Sequence, residues 1–241
     1  MSVTVGVEWI QDFPPSGSAC SQNNDIAPAP QQNAEGFLNS MVGLGNVSLF
    51  DWGDNNAWCT DFQAPAFGGN SPNWSDNVNF CYFSDHGGNS NNVMNIAFSN
   101  PNVGCFAFSS QMTLGVNQLK WFVLDCCNMV LGTDSNSIAS VWFGPTQGVH
   151  LVMGFVGLSY VGWPIGIFGP NFGNDVGGFN AIGPAWLNEA SNNWWTGQNT
   201  AISVGCGATS DEAVARVNGE SIADVGWDVA STNWLAWNWM S

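Results

Sequence analysis

Apolar residues along this chain fall into short blocks separated by polar, glycine-rich and proline-bearing stretches, a rhythm of strands rather than of long amphipathic helices. Val3–Ile10 is apolar or alternating and stops before Pro14-Pro15, which predicts a first strand. Residues 16–32 read as loop, and 33–41 as a short helix with Asn33 as its cap. Val47–Trp52 is a second strand, followed by a loop over 54–71 rich in Asn, Gly and aromatics. Val78–Ser84 and Leu119–Leu124 are continuous apolar runs, the third and fourth strands, and Val93–Phe98 with Cys105–Phe108 forms a hairpin between them. Val149–Phe155 and Thr200–Val204 supply a fifth and a sixth strand. Helices are expected over 183–191, around Trp186, and from Thr209 or Ser210, where Asp211 and Glu212 suit a first turn. Strands that are apolar throughout are buried on both faces, the mark of a parallel sheet covered by helices. The fold class is therefore α/β, with three layers around a mostly parallel central sheet of about six strands.

The 241 residues suit one domain spanning 1–241, ending in a Trp-rich segment, 225–241. No internal repeat or flexible linker divides them. Residues 148–169 carry no charged side chain and approach the length of a membrane span. Glycines, Pro164 and His150 interrupt that stretch, so a buried strand and a glycine-rich loop are expected instead of a span.

Charge narrows the partners. Two Lys+Arg stand against 18 Asp+Glu, a formal charge of −16, so phosphate backbones and anionic membranes repel the chain and nucleic-acid binding is not expected. Charged residues make up only 8% of the chain, leaving Asn, Ser and Gly to keep its surface soluble. Only Lys120 and Arg216 are open to a protease that cuts after basic residues. The start has no basic region followed by a long apolar run, hence no signal peptide as it stands. Acidity, scarce Lys and 14 Trp favour an extracellular protein, in which Asn46 and Asn73 lie in glycosylation sequons. Seven cysteines leave at least one unpaired, and none shows the repeated spacing of a zinc site, so neither a metal nor another cofactor is expected.

Two motifs close the third and fourth strands: Tyr82-Phe83-Ser84-Asp85-His86-Gly87 and Asp125-Cys126-Cys127. A His-Gly ending one buried strand and a Cys ending the next bring imidazole and thiol to one sheet edge. The first motif resembles the legumain His motif and the second the metacaspase Asp-x-Cys motif. Over roughly residues 1–160 the chain thus resembles the caspase-like, legumain-like and metacaspase-like cysteine peptidases. After the cysteine the pattern departs, since Cys127-Asn128-Met129-Val130 replaces the His-Ser-Gly of metacaspases and the x-Gly of caspases.

The resemblance implies a caspase-like fold and a peptide or protein substrate. Cys127 would be the nucleophile and His86 its base, because a thiol at its ordinary pKa is mostly protonated at neutral pH. Adjacent strand residues point to opposite faces, so Cys126 is expected to be a core thiol. In the resembling families the N–H groups of the glycine after His and of the cysteine bind the oxyanion, here Gly87 and Cys127. Asp125 occupies the metacaspase position that binds a basic P1 side chain, or else caps the following turn. Asp85 either orients His86 or caps the His-Gly turn, and His150 is expected to be a satisfied core residue. A competing reading takes the Trp and Asn content as that of an inactive peptidase-like fold serving as an extracellular binding or self-assembling protein. Room remains for a homo-oligomer in either case.

Overall fold

The computed structural model describes residues 2–22, 29–159, 167–191, 199–226 and 231–241. In chain order its principal elements are β1 (Thr4–Trp9), α1 (Ala29–Gly43), β2 (Val47–Gly53), β3 (Phe80–Ser84), β4 (Gly87–Ser90), β5 (Val93–Ala97), β6 (Phe106–Phe108) and β7 (Trp121–Asp125). They continue with α2 (Ser135–Trp142), β8 (Leu151–Val156), α3 (Gly169–Gly177), α4 (Ile182–Ser191), β9 (Thr200–Gly207), α5 (Ser210–Gly219) and β10 (Trp234–Met240). Seven strands form one sheet in the order β10-β9-β8-β7-β3-β1-β2. β2, β1, β3, β7 and β8 run parallel, whereas β9 and β10 are each antiparallel to the preceding neighbour. The hairpin is there too, joined by β4 into a separate three-stranded sheet.

β3 and β7 are buried at every position, as their unbroken apolar sequences require. One face packs Tyr82, Val123 and Met153 against Phe37 of α1, Phe172 of α3 and Trp186 of α4. The opposite face packs Phe83, Phe122 and Leu124 under the small sheet, α2 and the short turns around Ala57 and Phe62. Both faces of the sheet are thus covered, by α1, α3 and α4 on one side and by α2, the small sheet and short turns on the other, an arrangement compatible with three layers. Within the uncharged stretch 148–169, Leu151–Val156 forms β8 and 160–166, where the glycine-rich loop is expected, lie outside the described residues; no helix among the described residues is long and apolar enough to cross a membrane.

Asn33 is a correction to the expected cap, since α1 already begins at Ala29. Its side-chain Nδ2 instead donates to Asp125 Oδ2 at 2.9 Å, while its side-chain Oδ1 accepts the N–H groups of Phe168 and Gly169 at 2.9 and 3.0 Å. Thr209 does cap α5, accepting the Glu212 N–H. α3, a run of Gly, Pro and Asn, is held helical by its seam with α1. A Cβ at Gly169 would lie 2.1 Å from the Asn33 carbonyl oxygen, and one at Gly173 would lie 2.7 Å from that of Phe37.

That seam gives a direct test of the packing. Gly169→Ala should lower unfolding free energy by about 1–3 kcal/mol through overpacking. Gly43→Ala, at a position with no heavy atom within 4 Å of the added carbon, should be neutral or stabilise by about 0.5–1 kcal/mol. Urea unfolding of both variants measures the difference, and equal midpoints would refute the close approach of α1 and α3.

Candidate active site

Every registered pair of β3 and β7 shares one offset, from Phe80↔Trp121 to Ser84↔Asp125, a difference of 125 − 84 = 41. His86 and Cys127 share it as well, since 127 − 86 = 41. Pairing continues past the strand ends, where the Asp85 N–H donates to the Asp125 carbonyl at 3.1 Å. Carried two positions onward, the same offset would bring His86 opposite Cys127, past the carboxyl ends of neighbouring parallel strands. Open α/β sheets bind their ligands at that edge.

Gly87 locks the two strand ends together. A Cβ there would sit 2.3 Å from the Cys127 carbonyl oxygen and 2.7 Å from Cys126 Sγ, a space only glycine leaves open. The His86 carbonyl accepts the Ala97 N–H at 3.1 Å, so Gly87 opposite Ile96 is a non-hydrogen-bonded position of the β4–β5 ladder. Its N–H therefore points away from β5. The half-buried His86 ring packs against Phe13, 5.5 Å between centroids.

The paired cysteines divide as strand alternation demands. Cys126 is fully buried, and burial pushes its thiol well above the ordinary range. Cys127 is half-buried and free, and its Sγ accepts the Ser159 N–H at 3.2 Å. Sγ also lies 3.4 Å from the Ser159 carbonyl oxygen. The chain then turns through Asn128 at φ +60°, the left-handed region that Asn tolerates. Cys59, Cys81 and Cys206 are buried, and Cys20 is bonded to Cys105.

Asp125 lies beneath this pair and is 1% exposed. Its Oδ2 accepts Ser84 Oγ at 2.7 Å, Asn33 Nδ2 at 2.9 Å and the Tyr82 hydroxyl at 3.2 Å, whereas buried Oδ1 has no partner. Its side chain caps no turn. Burial raises the carboxyl to about 6, with those three donors opposing the shift. Asp85 is buried and neither oxygen completes a hydrogen bond, so it does not orient His86 by one. Burial holds it well above the usual carboxylate range, and the nearby His86 backbone N–H offsets only part of that. His150 is a core residue far from this edge: Nδ1 meets Glu220 Oε1 at 2.5 Å, Nε2 is unpartnered, and burial lowers its pKa. Lys120 and Arg216 are both buried, the latter paired with Glu212 and Glu220.

Ser84, Tyr82, Asn33, Phe13 and Ser159 were missed from sequence. Ser84 alone had a signal, since it stands two residues before His86 as Asp125 stands two before Cys127. Among the described residues no group of three or more His, Cys, Asp or Glu is placed to hold a metal. The chain belongs to the family described as Domain of unknown function (DUF6345), whose model matches residues 7–230. No curated protein matches it.

Two measurements follow from these environments. In the native protein a thiol reagent should titrate one cysteine quickly, and Cys127→Ala should remove that reaction; rapid labelling that survives the substitution would contradict the burial pattern. The second concerns pH. Asp61 is raised to about 7, and Asp76 and Asp125 to about 6, each chiefly by burial. Between about pH 4 and 7 the folded state keeps protons on these three acids that the unfolded chain has released, so their contribution to stability falls as pH rises through that window and outweighs the opposite contribution of the single buried His150. The melting temperature should be higher at pH 5 than at pH 8, with Asp125→Asn removing about 1.4 kcal/mol of the difference. A profile that rises toward neutrality would contradict it.

Proposed function

We propose that this chain is a cysteine endopeptidase of the caspase-like, legumain-like and metacaspase-like kind, built on their three-layer fold. The observation that carries the reading is the offset of 41 that His86 and Cys127 share with every registered pair of β3 and β7. His86 takes the thiol proton, and the Cys127 sulfur attacks the peptide carbonyl carbon. The resulting oxyanion is met by the Gly87 N–H and by the backbone N–H of Cys127. As the tetrahedral intermediate collapses, the C–N bond breaks and the imidazolium hands its proton to the leaving amine. Water deprotonated by His86 then cleaves the thioester and frees the thiol.

The substrate is a peptide with Arg or Lys at P1, and Asp125 is its partner. Unpartnered Oδ1 is the supporting observation, because a buried carboxylate oxygen lacking a donor is costly until a cation supplies one. Self-cleavage is limited because Lys120 and Arg216 are both buried. The disulfide between Cys20 and Cys105 supports an oxidising, extracellular setting.

A second reading has its own observation. β10 is a sheet edge that exposes Trp234, Trp239 and Met240, a surface suited to self-assembly in an inactive relative. Peptide hydrolysis separates the two. Cys127→Ala and His86→Ala should each lower turnover roughly a thousandfold or more. Asp125→Asn should cut kcat/KM for Arg substrates by about ten- to a hundredfold, and far less for Asn or Asp substrates. Full activity in Cys127→Ala would end the peptidase reading, and a wild-type preference for P1 Asn or Asp would end the assigned specificity.

A further inference from the structure

Beyond the strand edge that carries His86 and Cys127, three tryptophans and a buried acid enclose a cavity of about 170 Å³ lined by Trp52, Asn56, Trp58, Asp61 and Trp74. The rings are fixed in place. Trp58 Nε1–H donates to the Asn55 carbonyl at 2.8 Å, and Trp74 stands edge-on to Trp52, 5.7 Å between centroids at 80°. Ser75 Oγ donates to the Asp61 carbonyl at 2.6 Å, tying the turn that bears Trp74 to the one that bears the acid. Trp58 is 40% exposed and leaves one wall open to solvent.

Asp61 is 2% exposed, and its Oδ1 has no hydrogen-bond partner. Glu8, fully buried on neighbouring β1, has no partner at either oxygen and interacts electrostatically with Asp61. Burial of these two neighbouring acids, offset only in part by the Trp58 backbone N–H, is unfavourable alone, and a cation between aromatic faces removes that cost. A metal ion would want several oxygen or nitrogen ligands, which these indole walls do not offer. A guanidinium needs acceptors for five N–H groups, and the cavity presents only Asp61 and Asn56. A quaternary ammonium has no N–H to satisfy and interacts well with aromatic faces.

We propose that Trp52, Trp58 and Trp74 with Asp61 form a binding site for a quaternary ammonium group. The site is independent of the peptidase chemistry. Its occupancy depends on pH through Asp61, whose titratable neighbours Glu8, Cys59 and Cys81 are all acids or thiols. Burial raises Asp61 to about 7, and a cation binds its ionised form, so affinity should climb from pH 6 to pH 8.

Calorimetric titration of the Cys127→Ala protein with choline, beside its neutral isostere 3,3-dimethylbutan-1-ol and beside arginine, tests the site apart from catalysis. Choline should bind at one saturable site, about tenfold or more tighter than either competitor. Trp58→Ala removes an exposed wall, and Asp61→Asn changes no shape. Each should weaken choline about tenfold, and Asp61→Asn should also flatten the pH dependence. Melting curves establish that both variants are folded. No saturable binding, equal binding of the neutral isostere, tighter binding of arginine, or full affinity in the Trp58→Ala protein would overturn the proposal.

Discussion

The parallel pairing of β3 with β7 is the constraint on which the rest of this structure depends. Both strands are apolar along their length, so each must be covered on both faces, and that need recruits α1, α3 and α4 on one side and the turns, small sheet and α2 on the other. A slip of one residue would exchange the faces of every side chain in β7. Cys126 would leave the core, and Ser84 Oγ would lose Asp125. Burial of two whole strands therefore sets the position of a thiol beyond their ends.

Electrostatics in this acidic chain are governed by burial more than by pairing. Its two basic side chains are both inside the fold, Arg216 bridging Glu212 and Glu220, and neither is among the groups acting on Glu8, Asp61 or Asp85. These acids take protons up to unusually high pH because their surroundings are apolar. Asp125 differs in having three donors on one oxygen, which keeps its shift modest despite complete burial. The fold thus holds carboxyl oxygens without donors beside the cavity of three tryptophans and below Cys127. Both proposed ligands are cations for that reason.

Much of this arrangement was legible in the residues. The unbroken apolar runs located the strands of the parallel core, and their ends pointed to His86 and Cys127 without any knowledge of the register. β10 was not legible, because its tryptophans are half-exposed on an antiparallel edge and its pattern lacks a clear period. α3 was hidden by composition: Gly, Pro and Asn are poor helix formers, and only the close approach to α1 gives them a helix. Asn33 looked like a cap because short polar side chains favour helix ends. Asp125 and the first N–H groups of α3 claim its amide instead, a contact across about a hundred residues that local reasoning does not see. The environment of Asp125 is assembled from two distant segments, β3 and α1, for the same reason.

The central claim is that His86 activates Cys127 across the β3–β7 edge. Its most direct test is the rate of Cys127 alkylation by iodoacetamide at neutral pH in the wild-type and His86→Ala proteins, which needs no substrate. The account predicts a rate at least roughly tenfold slower without the imidazole, because the thiolate is the reactive form and His86 generates it. Equal rates in two folded proteins would show that the thiol and the imidazole act separately, and would contradict the account.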